Sequence, residues 1–407
     1  MKRILIIVLG FIVMLVMFPV ACSAVKLDET TMEQGLLAEI PFRLHGSFIV
    51  TNISVDESTP LNFIFDTGAG GTLINAGTAS KLDIVGDETV SRQGATGMVE
   101  IVRSTNHIVD VGELRVQDVT LGIGELNHIE KQLGMPIDGV IGWEILSQYA
   151  VRLNYDTMCI EIYDNNGFDY ALGNSGYPLE VQGTAIFTDV IVAFKSGNTF
   201  TGKVLVDTGF GGAISFNTPF TEENGLLADI DDYYERETQS LSTESSHVYT
   251  TMLANLTISD YKFVTLPASM AIAEAGALSW PGIMGILGNN VLKRFNVFIN
   301  LQQEEIFLEP NRLYYDQFEV NCSGLELVMD DALQRVIIDH VYEDSPAHEA
   351  GLKVGDEIIQ INGTSVSDFQ LPQIRSMLSQ DGEKIEILID RTGELRSYSL
   401  RLRPLIE

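Results

Sequence analysis

Apolar and polar positions alternate in short runs through most of the first 320 residues. Phe48-Ile49-Val50-Thr51-Asn52-Ile53-Ser54-Val55 mixes that alternation with β-branched side chains, which predicts a strand rather than a helix. Turn chemistry such as Ser196-Gly197-Asn198 falls between such runs. Long helical periodicity is scarce before residue 320, so this part reads as mainly β. Two stretches break the pattern. Residues 4–21 are apolar without a charge, behind the positive Met1-Lys2-Arg3. From about Val320 the texture changes, and residues 345–363 read as a short helix, a glycine stop, a turn and a strand.

The apolar head reads as an export segment, residues 1–24, with small residues Ala21-Cys22-Ser23-Ala24 suited to cleavage. Three modes of attachment stay open. The segment can be cleaved, kept as an anchor long enough to span a bilayer, or lipidated at Cys22. Val20-Ala21-Cys22 resembles part of a bacterial lipobox, with Pro19 where Leu is usual. The expected location is therefore the periplasm or cell envelope, with membrane attachment through this segment as one option.

A repeat organises the middle of the chain. Phe63-Ile64-Phe65-Asp66-Thr67-Gly68 recurs as Val204-Leu205-Val206-Asp207-Thr208-Gly209, 141 residues later. Farther on, Asp138-Gly139-Val140-Ile141-Gly142 is echoed by Met284-Gly285-Ile286-Leu287-Gly288 at an offset of 146. Both echoes run on into strand-like text, Tyr149 to Asn154 and Phe295 to Asn300. Two copies of one unit are expected, over 36–170 and 171–315, with a third module over 320–407.

Composition narrows the function. The 407 residues carry 56 acidic and 25 basic side chains, a formal charge of −31. Such a chain lacks the cationic footprint of a nucleic-acid binder and is repelled by anionic lipid. Residues 320–407 hold 16 acidic and 8 basic residues, leaving −23 on the rest. Three cysteines exclude a disulfide-dense scaffold and a four-thiolate zinc site, and Cys159 and Cys322 are expected to be buried thiols. His45, His107, His128, His247, His340 and His348 show no metal-ligand spacing. No cofactor or metal is implied. Asn-X-Ser/Thr sites at Asn52, Asn255, Asn321 and Asn362 matter only where the source glycosylates exported proteins.

A strand ending in Asp-Thr-Gly places a carboxylate at a sharp turn. Two such turns brought together by pseudo-twofold packing set two carboxylates side by side, and like charges that close cannot both ionise readily. One keeps its proton, giving an acid and a base in one site, as water attack on an amide requires. One copy alone is an ordinary turn; two in register are not. The glycines do not form a dinucleotide loop, because neither copy has GxGxxG opening a helix.

These residues resemble the retropepsin-like aspartic peptidases, over both repeats. The resemblance implies a bilobal fold of two β-barrel lobes, with Asp66 and Asp207 as the catalytic dyad acting on a peptide or protein substrate. Thr67, Gly68, Thr208 and Gly209 would support the active loops. Val140-Ile141-Gly142 and Ile286-Leu287-Gly288 match the motif that threads beneath them. The position after Asp-Thr-Gly, usually Ser, Thr or Ala, is Ala69 in one copy and Phe210 in the other, so a narrowed or weakened site is one expectation. A closing hairpin is expected near Gln93 to Val99 or Ser246 to Thr250. Tyr249 is read as an ordinary strand residue.

The third module resembles a PDZ domain of the kind attached to bacterial envelope proteases, through its SPAxxAGLxxGDxIxxING run. That resemblance implies a β-sandwich with two helices, and peptide addition at a sheet edge. Its carboxylate-binding loop maps onto Gly324-Leu325-Glu326-Leu327, with Leu325 and Leu327 flanking a pocket and Ile374 and Leu378 forming the other wall. Glu326 would repel a peptide carboxylate. Two functions stand at this point: an aspartic endopeptidase with a PDZ module for substrate or partner peptides, or an inactive peptide-binding envelope protein using the PDZ module.

Overall fold

A computed structural model of the chain describes residues 35–94, 97–165, 176–239 and 245–407. The expected export segment, with Cys22, lies outside the described residues, as does the junction at 166–175. No helix among the described residues is long and apolar enough to cross a membrane.

The chain is mainly β, and the two repeats fold alike. In the first, the strands run in the order Phe48–Val55, Leu61–Phe65, Gly139–Ile141, Thr72–Asn75, Leu114–Gly124, Met98–Val111, Glu88–Gln93. The second has Ala185–Ala193, Thr199–Asp207, Gly285–Gly288, Ile214–Phe216, Tyr261–Ile272, Ser245–Ile258, Tyr234–Gln239, the same order element for element. In each, the first strand of that series also pairs with the long sixth one, which closes the sheet into a barrel. β-Branched and aromatic side chains fill the barrels: Ile49, Phe63, Phe65 and Ile74 in one, Ile186, Val206 and Phe216 in the other, all fully buried. Both strands that end in the Asp-Thr-Gly turns lie parallel to the Gly-centred strand of the second motif.

The repeats meet across one antiparallel pair, Ala150–Asn154 with Phe295–Asn300. Arg152 lies opposite Phe298 there, and these are the same position of the two repeats at the 146-residue offset. The pseudo-twofold axis therefore passes through this pair. Buried polar groups fasten the same junction. Tyr155 donates its hydroxyl to Asn289 Oδ1 at 2.6 Å, and Asn289 Nδ2 donates to the Ser47 carbonyl at 2.5 Å.

The C-terminal module has its own core around Leu327, Ile338, Ile358, Ile374 and Ile389. Its sheet runs Leu325–Met329, Val336–Val341, Glu357–Ile361, Lys384–Arg391, Glu394–Arg401, with helices Pro346–Ala350 and Leu371–Met377. Asp356 and Arg391 form a bidentate pair at 2.6 and 2.7 Å that ties two of its segments together. The module touches both barrels. Asp331 pairs with Lys131 of the first, and Tyr342 packs its ring 4.7 Å from Tyr234 of the second.

Tyr155→Phe should leave the buried Asn289 oxygen without its donor, at a cost of about 1–3 kcal/mol. Urea unfolding should show a lower midpoint with an unchanged slope; an unchanged midpoint would remove this bond from the inter-repeat junction.

Candidate active site

The two Asp-Thr-Gly turns meet at the axis. Thr67 donates its hydroxyl to the Val206 carbonyl at 2.7 Å, and Thr208 donates its own to the Phe65 carbonyl at 2.9 Å. Each hydroxyl also accepts from the other threonine's backbone N–H, both at 3.0 Å. Four buried hydrogen bonds thus run between the repeats through two side chains, each threonine being 1% exposed. Threonine suits the task because one hydroxyl both donates and accepts.

This clasp sets the aspartates. Asp66 Oδ1 accepts from Gly68 N–H at 2.7 Å and Asp207 Oδ1 from Gly209 N–H at 2.8 Å. A Cβ on Gly209 would fall 2.3 Å from Asp66 Cγ, and one on Gly68 2.7 Å from Asp207 Cγ. Each glycine therefore lies directly against the opposite carboxyl, and any side chain there would push the pair apart. Removal from water raises both carboxyl pKa values, against the backbone donors that favour the charged form. Asp207 is pushed well above the ordinary value, by burial first and then by the charge of Asp66.

Neither residue after the turns supplies a hydroxyl. Ala69 packs against the apolar group of Phe48, Leu133 and Val140. Phe210 turns into the second barrel, against the group that includes Leu205, Leu278 and Ile286, with its ring over Gly212.

Both barrels carry a hairpin. The first pairs Glu88–Gln93 with Met98–Val111, so the expected segment from Gln93 to Val99 falls at the end of this hairpin, with Ala95 and Thr96 outside the described residues. The carbonyl of Gly94 accepts from Ala277 N–H at 2.9 Å, linking this turn to the opposite barrel. The second joins Tyr234–Gln239 to Ser245–Ile258, and Ser246 to Thr250 lies on its returning strand. Tyr249 pairs opposite Glu235 in that ladder.

In the C-terminal module, Gly324 opens the edge strand with φ +81°. Leu325, Leu327, Ile374 and Leu378 are all buried core residues. Leu325, Leu327 and Leu378 also border a cavity, whereas Ile374 is fully buried and borders none of it. The wall expected from Ile374 is instead part of the core. Glu326 is not left facing a ligand alone, since it accepts the Tyr342 hydroxyl at 3.0 Å.

One cluster was not singled out from the sequence. His107 lies 2.7 Å from Ser104 Oγ through Nε2 and 2.6 Å from Asp56 Oδ2 through Nδ1. The order of groups is that of a serine hydrolase. Ser104 is buried, however, and its hydroxyl also lies within bonding distance of the Val85 carbonyl at 2.9 Å. Asp56 also accepts from Ile108 N–H, so the cluster ties a turn to an irregular stretch of the long strand. No cluster of metal-ligating side chains occurs among the described residues. Cys159 and Cys322 are free, buried thiols.

Residues 51–145 match the aspartyl protease family model. The match covers the first aspartyl protease turn and its Gly-centred partner strand, and the second barrel repeats both. Residues 337–391 match the PDZ domain model. The carboxy-terminal processing protease CtpB of Bacillus subtilis is 35% identical over 81 residues, 20% of this chain and 16% of its own. A probable periplasmic serine endoprotease, DegP-like, of a Marinomonas species is 37% identical over 85 residues, 21% of this chain and 18% of its own. The chain thus spans less than a fifth of either relative. Among solved structures, a photosystem II D1 C-terminal processing protease aligns at 23% identity with a TM-score of 0.21, over 22% of this chain and 25% of that one.

Thr67→Val should strip a donor from the Val206 carbonyl and an acceptor from Thr208 N–H. Calorimetric or urea unfolding should show a loss of about 2–4 kcal/mol in the two barrels. A neutral result would mean that the clasp does not hold the turns together.

Proposed function

We propose that the chain is an aspartic endopeptidase of the cell envelope, in which Asp66 and Asp207 share one proton and activate a water between them. The observation that carries this is the reciprocal Thr67–Thr208 clasp, which presses each turn's glycine against the opposite carboxyl. Asp66, ionised, takes a proton from the water as its oxygen attacks the scissile carbonyl carbon. Asp207 gives its proton to the carbonyl oxygen, so the tetrahedral intermediate forms without a free charge. Transfer of the Asp66 proton to the leaving nitrogen, with return of a hydroxyl proton to Asp207, breaks the C–N bond and restores the starting state. The PDZ module contributes peptide recognition. The apolar segment over residues 4–21, and a relative named as periplasmic, support export.

A serine mechanism is the reading that one relative's name suggests, and Ser104 is its only geometric candidate among the described residues. The two are separable. Asp66→Asn and Asp207→Asn should each remove nearly all peptide cleavage, because a lone carboxyl cannot serve as both base and acid. Ser104→Ala should cleave normally, and a statine inhibitor should block cleavage where a serine-directed fluorophosphonate does not. Substantial turnover by either asparagine variant would move the chemistry elsewhere.

The pH dependence has a defined sign. An aspartate whose pKa is raised in the fold holds its proton above the ordinary value of 3.8, where the unfolded chain has lost it. Its stabilising contribution is whole below that value and is lost as pH rises through the folded pKa. Asp207→Asn should therefore unfold at a higher temperature than the wild type at pH 7, with the gain vanishing near pH 3. With no hydroxyl to hold either carboxyl low, the activity optimum should lie at mildly acidic to neutral pH. An optimum below about pH 3, between the apparent values of pepsin's dyad, would contradict this.

A further inference from the structure

A cavity of about 350 Å³ lies where the PDZ module meets both barrels. Ser47 of the first barrel, Gly211 and Asn290 of the second, and Glu326, Leu327 and Arg375 of the module all border it. Gly211 is two residues beyond Gly209, whose Cβ position falls 2.3 Å from Asp66 Cγ. Consecutive Cα atoms are 3.8 Å apart, so Gly211 lies within about 11 Å of that carboxyl, the span of three or four extended residues. The cavity is therefore next to the dyad on the scale of a peptide.

Two further observations say what it takes. The strand Leu325–Met329 is the edge of the module's sheet, pairing on one side with Val336–Val341. At its Met329 end that edge is crowded by the first barrel, where a Cβ on Gly134 would fall 3.2 Å from Met329 and 2.8 Å from Leu371. At its Leu325 end it borders the cavity. A segment entering at the Leu325 end would come from the side of the dyad. Arg375 donates through Nη2 to the Leu327 carbonyl at 2.6 Å, and its Nε is buried without an acceptor. A buried donor of that kind calls for an acceptor such as a peptide carbonyl.

We infer that the PDZ module is the outer wall of the substrate cleft. The cavity takes the extended main chain of the substrate three to four residues from the scissile bond, with Arg375 as a specificity-determining residue that donates to a backbone carbonyl. This rests on the endopeptidase reading of the dyad and adds a substrate class to it: chains that offer an extended segment on at least one side of the cut. Short peptides would leave the cavity empty.

Peptides lengthened one residue at a time on either side of a fixed scissile bond test this in the full chain. On one side, the third and fourth residues should raise kcat/KM about tenfold, the worth of one or two good hydrogen bonds. In Arg375→Ala that gain should shrink to less than about threefold. Ser47→Trp, which fills the cavity from the barrel side and leaves the PDZ core untouched, should do the same. A wild type indifferent to length, or both variants keeping the full gain, overturns the inference. Calorimetric titration of the same peptides into Asp66→Asn reads the length effect as affinity, without cleavage. If that affinity rises with length and falls with Ser47→Trp while Asp66→Asn still cleaves, the wall stands and the dyad reading fails.

Discussion

Everything in this molecule depends on holding two carboxyl groups closer than their charges allow. The paired threonines hold the two turns that carry them. Their four hydrogen bonds are buried, and each crosses from one repeat to the other. A buried network whose members are all satisfied specifies one arrangement, because a partial version would strand polar groups away from water. The repulsion between the aspartates is relieved by a proton, not by distance. Raised pKa values are thus a consequence of the clasp, and so is the acid–base asymmetry.

The clasp needs a twofold axis, and the rest of the architecture provides one. Arg152 opposite Phe298 marks the axis in the inter-repeat sheet, and Tyr155 with Asn289 and Ser47 extends the junction on one side of it. The symmetry is only approximate, which a single chain permits and two identical chains would not. Ala69 and Phe210 differ at equivalent positions. The first barrel's hairpin accepts a hydrogen bond from the opposite barrel, at the Gly94 carbonyl from Ala277 N–H.

Much of this was legible in the sequence, for a physical reason. The Asp-Thr-Gly turns and their glycine-centred partners are short, rigid and local, so their spacing survives in the residue order. The alternation of Phe48 to Val55 is likewise a local property of a strand. What stayed hidden was long-range. No pattern says that Phe210 turns into its own barrel, because that direction depends on the space above Gly212 and Gly288. Ser104, His107 and Asp56 carry no recognisable spacing, and only an irregular stretch of strand brings them together. Ile374, read as a groove wall from its helical spacing with Leu378, faces the core instead. Helical periodicity gives a face, not what the face meets.

Glu326 shows how the meaning of a residue changes with its surroundings. In the sequence it replaces a glycine of a carboxylate-binding loop and looks like a repellent. In the fold it accepts the Tyr342 hydroxyl, and Tyr342 packs on Tyr234 of the second barrel's hairpin. Burial works against the charge of Arg236 on that same hairpin, but the nearby charge of Glu326 holds the guanidinium's pKa up. The side chain that would spoil a free-standing peptide receptor therefore fastens the module to a strand beside the cleft. A PDZ domain tethered only by its linker would gain nothing from this substitution. One fixed against the two barrels gains an attachment and, on the proposed reading, gives up only the terminal carboxylate, which a segment passing toward the dyad would not bring.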